Sequence, residues 1–361
     1  MENILLTGAF GNIGLSTIDE LLIRGFNITA FDLPRKKNFR KYRRLKKVWA
    51  DKISVIWGDL RNYEDVERAM ENMKNVIHLG ALIPPLSENS PDLAYDVNVE
   101  GTKNVIKAIK MVSPSTHLIY TSSFAIFGNR EENPIISLED SFNPMSHYAR
   151  YKLECEKLIQ SSKIRWTILR LTYVPSLNDL RLYRFMYDVP LNIKIELTTS
   201  KDVALALVNS IDNSQVLYKI FNVAGGTSCR TTYGEYLMNM LEIFGLGADS
   251  IPAEAFSKEG TFGGWIKPQG SQEALRYQQT SLDEFYQNLR RKYRIIHYIV
   301  KIVRPIAKRI IIRKSHYIQE VNSYHTIAEY LNLIDKNPFK LEDGENKSLD
   351  TYEEPIHESL I

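Results

Sequence analysis

A tyrosine and a lysine stand four residues apart in the stretch SHYARYK, Ser146 to Lys152. Residues at i and i+4 are neighbours on a helix surface, so Lys152 can sit beneath the ring of Tyr148, whereas Tyr151 has Cys155 in that place. A phenol ordinarily titrates near 10 and is a poor base at neutral pH, but a nearby cation favours its charged form. A tyrosine tuned in this way can pass a proton to or from an alcohol while a cofactor moves hydride. The same spacing also arises by chance on amphipathic helices, so the elements around it have to decide.

Those elements alternate. NILLT, NITAFD, SVIWGD, NVIHLGA, THLIYTSS and WTILRL are short apolar runs rich in β-branched and aromatic residues, each followed by a polar or helix-periodic stretch. Runs apolar on both faces suit a parallel sheet covered by helices on each side, and the alternation implies right-handed βαβ units. The expected fold is therefore α/β, a Rossmann-type doubly wound parallel sheet.

The first of these strands runs into Gly8, Gly11 and Gly14 in TGAFGNIG, followed by the helix-like IGLSTIDELLIRG. Glycines there allow a tight turn, a close backbone approach to a pyrophosphate and contact between helix and sheet, with the phosphates at the positive helix end. Asp32 ends the second strand, where a carboxylate can accept hydrogen bonds from ribose hydroxyls. Together these features predict a dinucleotide held by Gly8, Phe10, Gly11, Asn12, Ile13, Gly14 and Asp32. The charge of Asp32 favours NAD over NADP. Nine basic residues between Arg35 and Lys47 work against that preference if one of them neutralises a 2′-phosphate, and are otherwise a solvated helix face.

With TGAFGNIG, GDL, HLGA, DVNVEGT, YTSSFAIFG and YARYK in order, residues 2 to 285 resemble an extended short-chain dehydrogenase/reductase of the NAD-dependent epimerase/dehydratase group. The later TTSKDVALAL and IFNVAGG also resemble that group. The resemblance implies a catalytic Ser123, Tyr148 and Lys152. Ser123 would hold the substrate oxygen, Tyr148 would transfer the proton, and Lys152 would lower the phenol and bind the nicotinamide ribose. Asp59 and Leu60 would line the adenine, Gly80 and Ala81 the cofactor backbone, and Asn98 would brace the sheet beside the catalytic helix or act only as a cap. Ser122 reads as a turn residue satisfying local backbone groups. The resemblance also implies a homodimer paired through helices of the catalytic domain.

Departures from the family pattern narrow the chemistry. Phe124 and Ala125 stand where dehydratases of the group usually carry acids after the catalytic hydroxyl residue, which disfavours dehydration. Tyr173 replaces an asparagine common in nucleotide-sugar epimerases, and Phe127 a tyrosine, so a sugar nucleotide is in question. The main expectation is hydride transfer at a secondary alcohol or ketone, net or transient, as in an epimerase acting on a nucleotide sugar. A membrane-associated dehydrogenase of a lipid-like or steroid-like alcohol is the alternative, and a non-catalytic NAD-binding protein a second. No metal is called for.

The 361 residues and 44% hydrophobic content suffice for a sizeable core. Two cysteines, Cys155 and Cys229, argue against a disulfide framework, and Met1 leads almost at once into the first strand without a signal-peptide pattern. Both point to the cytoplasm. The net charge of +3 conceals a segregation: residues 285–319 carry ten Lys or Arg and no acid, and residues 320–361 carry ten acids against three bases. Leu289 to Tyr317 interleaves cations with Ile, Val and Tyr, so a helix bent near Pro305 could lie on an anionic membrane surface or pack its apolar stripe on the globule. The segment is too apolar for a nucleic-acid arm, and no specific nucleic-acid partner is expected.

The expected organisation is a dinucleotide domain at 1–174 plus 199–224 and a smaller α/β substrate domain at 175–198 plus 225–288. A basic amphipathic segment, 289–319, follows as a C-terminal helical extension, and then a short helix with an acidic, partly disordered tail, 320–361. Gly263, Gly264 and Trp265 form either a substrate-facing loop with an aromatic wall or part of the core.

Overall fold

The structure is a computed structural model that describes residues 2–49, 51–130, 133–176, 184–260, 262–267, 270–318 and 325–336. The chain opens with β1 (Asn3–Thr7), α1 (Asn12–Ile23), β2 (Asn27–Asp32), α2 (Lys36–Val48), β3 (Ile53–Trp57), α3 (Tyr63–Met70) and β4 (Asn75–His78). Two short helices, α4 (Leu86–Asn89) and α5 (Pro91–Tyr95), lead through a wider π-type turn, Asp96–Glu100, into α6 (Gly101–Val112). Then come β5 (His117–Ser123), β6 (Ile135–Ile136), α7 (His147–Ser161), β7 (Arg165–Leu171), β8 (Lys194–Glu196), α8 (Ser200–Val208) and β9 (Ile220–Val223). The remainder is β10 (Arg230–Thr232), α9 (Tyr233–Ile243), β11 (Trp265–Ile266), α10 (Ser271–Leu275), α11 (Leu282–Lys292), α12 (Arg294–Ile302), α13 (Arg304–Ile312) and α14 (Ile327–Lys336).

Seven strands form one parallel sheet in the order β3-β2-β1-β4-β5-β7-β9. All six apolar runs of the sequence lie in it, and IFNVAGG supplies the seventh strand. Side chains alternate across β1, so Ile4 and Leu6 join α1 and α8 on one face while Leu5 joins α3 and α6 on the other. The chain reverses direction across the sheet between β1 and β4, and in open α/β sheets the crevice beyond the strand ends at such a point receives ligands.

A third apolar cluster gathers Tyr187, Leu191, Ile193, Ile195 and Leu197 with Tyr236, Leu237 and Leu241 of α9 and Phe285 and Leu289 of α11. Two small sheets pair β8 with β10 and β11 with β6; Ile195 of β8 lies in this cluster, whereas Ile136 of β6 and Ile266 of β11 pack with Phe124, Ile126 and Phe127. Glu196, buried at its centre, accepts from the Gly226 and Ile266 amides, both at 2.9 Å, and from Arg230 Nε at 3.1 Å. Of the two alternatives read for Gly263, Gly264 and Trp265, Trp265 is a half-buried strand residue paired with Ile135. Its ring lies between Lys194 Nζ and the Arg230 guanidinium, at 5.6 and 5.5 Å, and Gly263 and Gly264 pack closely on Ile193 and Ile136. Among the described residues no helix is long and apolar enough to cross a membrane. The acidic tail beyond α14 lies outside the described residues.

Candidate active site

The glycine turn is built for close approach. Gly8 has φ +65°, and a Cβ there would stand 2.8 Å from the Gly80 nitrogen; one on Gly14 would stand 2.5 Å from the carbonyl oxygens of Gly8 and Ala9. Helix α1 starts at Gly11 with no side-chain cap and no acid in its first turn, so its free N–H groups and positive end suit a phosphate. The Phe10 side chain is buried against Tyr42 and Trp57, so only its backbone serves the turn. Asn12 Nδ2 donates to the Pro175 carbonyl at 3.2 Å, tying the turn to the segment after β7, and Ile13 packs on the core at the start of α1.

Asp32 stands at the end of β2, as read, and already accepts three hydrogen bonds: from Phe10 N at 2.9 Å, Leu33 N at 2.8 Å and Asn38 Nδ2 at 3.1 Å. Of the cationic run on α2, Lys41 reaches the turn, its Nζ donating to the Phe10 carbonyl at 2.6 Å. Burial and the charge of Lys37 lower its pKa. Asp59 is held below the usual carboxylate range by its hydrogen bonds with Arg61, 2.7 Å at the closest. Leu60 lies close beneath Gly80, where a Cβ would meet its Cδ1 at 2.6 Å.

The loop after β4 is braced from two sides. Thr7 Oγ1 takes the Gly80 amide at 3.1 Å and lies 2.6 Å from His78 Nδ1, while Nε2 of that histidine is 3.2 Å from Thr102 Oγ1. Burial drives His78 down to about 3, so it works as a neutral link between strand and helix. Asn98 pairs its amide both ways with Leu82, accepting from the nitrogen at 2.7 Å and donating to the oxygen at 2.9 Å. It therefore holds the 80–82 loop, where Gly80 and Ala81 sit. It does not brace the sheet directly.

Ser123, Tyr148 and Lys152 come together at the carboxyl end of β5. The serine is the last residue of the strand, its hydroxyl accepts from the Ala125 amide at 3.2 Å, and it is hydrogen-bonded to the Tyr148 phenol. Lys152 is 4% exposed; its Nζ donates to the Thr121 carbonyl at 2.7 Å and lies 5.7 Å from the Tyr148 ring centroid and 4.7 Å from that of Tyr120. The i, i+4 series continues to Glu156, which receives both arms of Arg170 at 2.9 and 2.7 Å in a buried ion pair. Arg170 in turn stacks on Phe127 and Phe142, at 5.3 and 5.0 Å. Helix α7 thus turns a polar stripe inward and fastens it to β5 and β7.

The expected lowering of the phenol is not what this structure holds. Burial pushes Tyr148 up to about 12, with the Ser123 hydrogen bond pulling only weakly the other way, and burial brings Lys152 down to about 8. The ammonium is tied to a backbone carbonyl and faces the ring, and burial of the phenol is the largest influence on it. Ser122 also departs from the reading: it is a buried strand residue whose hydroxyl finds no partner among the described residues, not a turn residue. Tyr173 sets its ring edge-on to Tyr236 at 5.7 Å, packed against the third apolar cluster.

The sequence offered no sign of Glu88. Its carboxylate, on α4, accepts from the His147 amide at 3.0 Å and the Tyr148 amide at 3.1 Å, clamping the first turn of α7 beside the Ser146 cap. Sixty residues separate Glu88 from Tyr148, so no local pattern could reveal the contact.

The sheet is thus parallel, with a glycine turn after β1 and a serine, a tyrosine and a lysine gathered at the carboxyl end of β5. Residues 5–167 match the 3-beta hydroxysteroid dehydrogenase/isomerase family. The UDP-glucose 4-epimerase of Pisum sativum is 29% identical over 182 residues, covering 48% of this chain and 51% of that protein. The N-acetyl-alpha-D-glucosaminyl-diphospho-ditrans,octacis-undecaprenol 4-epimerase of Escherichia coli O157:H7 is 30% identical over 160 residues, 44% of this chain and 43% of that one. The chain thus spans about half the length of the curated relatives it matches. A solved structure, MoeE5 in complex with UDP-glucuronic acid and NAD, shares the fold at a TM-score of 0.64 and 20% identity, covering 80% of this chain and 99% of that one. The likeness in sequence thus falls on the part of the chain that holds the sheet and the glycine turn and is to dehydrogenases and epimerases, while the solved structure shares the fold.

Proposed function

We propose that this chain is an NAD-dependent oxidoreductase or epimerase acting by hydride transfer at a secondary alcohol or ketone, with a nucleotide sugar as the leading substrate class. The observation that carries the reading is the meeting of Ser123, Tyr148 and Lys152 on β5 and α7 beside the Gly8 turn. Residues 1–174 with 199–224 hold the dinucleotide, and 175–198 with 225–288 shape the substrate pocket. Gly8, Gly11 and Gly14 fit a pyrophosphate at the start of α1, and Asp32 keeps lone pairs for ribose hydroxyls beside its three local donors. The chemistry a bound nicotinamide dinucleotide supplies is the uptake and return of a hydride. Ser123 orients the substrate oxygen, and Tyr148 gives its proton to a ketone oxygen or takes one from a carbinol. A phenol near 12 is the acid form, ready to protonate; acting as a base, it needs the cationic Lys152 together with positive charge brought into the site.

The test is to incubate the protein with NAD+ and a panel of UDP-sugars while following both product sugar and NADH. Sugar inversion without NADH accumulation is the epimerase outcome, and NADH in proportion to product is the dehydrogenase outcome. Failure to bind NAD+ at all would overturn the reading. A second reading, a dehydrogenase of a lipid-like or steroid-like alcohol, is favoured by the 3-beta hydroxysteroid dehydrogenase/isomerase match and is tested by adding such alcohols to the panel. Peripheral attachment to an anionic membrane surface through the basic C-terminal helices belongs to the same proposal. It is supported by the ten Lys or Arg of residues 285–319, a stretch that contains no acidic residue.

A further inference from the structure

Helices α12 and α13 are apolar on two opposite sides. Inward, Tyr293, Val300, Ala307 and Ile311 pack on the cluster of the smaller domain. Polar contacts hold them there: His297 Nδ1 lies 3.1 Å from the Glu242 carbonyl, Tyr187 Oη donates to the Ile311 carbonyl at 2.7 Å, and Lys308 Nζ to that of Asp249 at 3.3 Å. Outward stand Ile295, Tyr298, Ile299, Ile302, Ile306 and Ile310, each between 55% and 81% exposed. Ile295, Ile299, Ile302, Ile306 and Ile310 advance by steps of four, three, four and four, which is one stripe on a helix surface carried across the break at Val303. Arg294, Lys301, Arg309 and Arg313 are exposed along the same two helices, while the Arg304 guanidinium lies against Gly247, and there is no acid from residue 285 to 319.

Scattered exposed apolar residues are ordinary; a contiguous stripe of this length is not, and it marks an interaction surface. We propose that the outer face of α12 and α13 docks in the interfacial layer of a membrane rich in anionic lipid, with the isoleucines at the acyl boundary and the flanking cations among the headgroups. The inference rests on the peripheral attachment proposed above and adds which face is used and which way the molecule sits. The inner stripe is already covered by the smaller domain, so the outer one is not needed for that domain's core. A second copy set against this face would bring two rows of cations together without a carboxylate between them, whereas anionic headgroups complement the row. Because α12 and α13 are fastened to the smaller domain, that domain faces the bilayer.

The experiment is flotation of the full chain with vesicles of phosphatidylcholine alone or of phosphatidylcholine with phosphatidylglycerol. Recovery with the anionic vesicles should exceed that with neutral ones by at least about tenfold at low salt and fall as salt is raised. The triple variant Ile299→Ser, Ile302→Ser and Ile306→Ser, with an unchanged melting temperature, should lose at least about tenfold of that recovery. The control Ile23→Ser with Met111→Ser, which removes lone exposed residues elsewhere, should not lose it. A triple variant that floats like the wild type would overturn this face while leaving peripheral attachment standing. A wild type that floats with neither vesicle would overturn peripheral attachment itself. A protein dimer abolished by the triple variant, without lipid binding, would assign the face to a second copy and refute the proposal.

Discussion

Helix α7 and the helices α12 and α13 break the burial rule in opposite directions. The first hides Lys152 and Glu156, 4% and 1% exposed, while the others leave a row of isoleucines in the open. Buried polar and exposed apolar residues both cost free energy unless something compensates, and the difference lies in where the compensation comes from. For α7 it is inside the molecule: Thr121 takes the ammonium, Arg170 the carboxylate, and Ser123 the phenol. For α12 and α13 no described residue covers the outer row, and the proposed membrane surface would supply the compensation.

Substitutions can break the inner half of this comparison hardest. Tyr148→Phe should lower kcat by about 10³-fold or more, since general acid–base transfer contributes on that scale, while the dissociation constant for NAD+ changes little. Arg170→Ala should cost about 3–5 kcal/mol in denaturant unfolding, because it strands Glu156 as a buried unpaired charge behind the catalytic turn. Lys152 adds a pH signature. With a folded value near 8 against the ordinary 10.5, the folded protein binds fewer protons than the unfolded chain between those values. Wild-type stability should therefore rise relative to Lys152→Met as pH climbs from about 8 to about 10.5, and the excess should be absent below pH 8. The unfolding midpoint of each protein across that range checks it.

Smaller effects sharpen the comparison. Glu88→Ala should reduce kcat about tenfold by loosening the first turn of α7, with KM for substrate little changed and most of the rate restored in Glu88→Gln, which keeps an acceptor oxygen. On the outer side, Ile299→Ser, Ile302→Ser and Ile306→Ser should shift stability by no more than about 0.5 kcal/mol each, since nothing in the described structure covers them. Thermal melts with parallel rate measurements distinguish the two cases.

Much of this was open to reading in the chain itself. Strands declare themselves through runs of β-branched residues, the glycine turn through its position between strand and helix, and the Tyr148–Lys152 pair through helical spacing. What escaped depends on distance or on burial. Glu88 reaches α7 across sixty residues, and the pairing of Asn98 with Leu82 is set by how two loops meet. The direction of the Tyr148 shift could not be had from spacing, because desolvation is a property of the packed site. Similarly, the sequence of the basic segment left membrane contact and packing on the globule as alternatives, whereas the structure gives the inner stripe to packing and leaves the outer one uncovered by any described residue.

The central claim is that Tyr148 becomes a usable proton carrier at neutral pH only when Lys152 and a bound cofactor act on it together. Carbon-13 labelling of the tyrosine ring, with Tyr148→Phe to assign the signal, allows the phenol to be titrated by NMR with and without NAD+. The account predicts a midpoint near 12 without NAD+ and one below about 9 with it bound, the drop being lost in Lys152→Met. A phenol that titrates at the same pH in both conditions would contradict it.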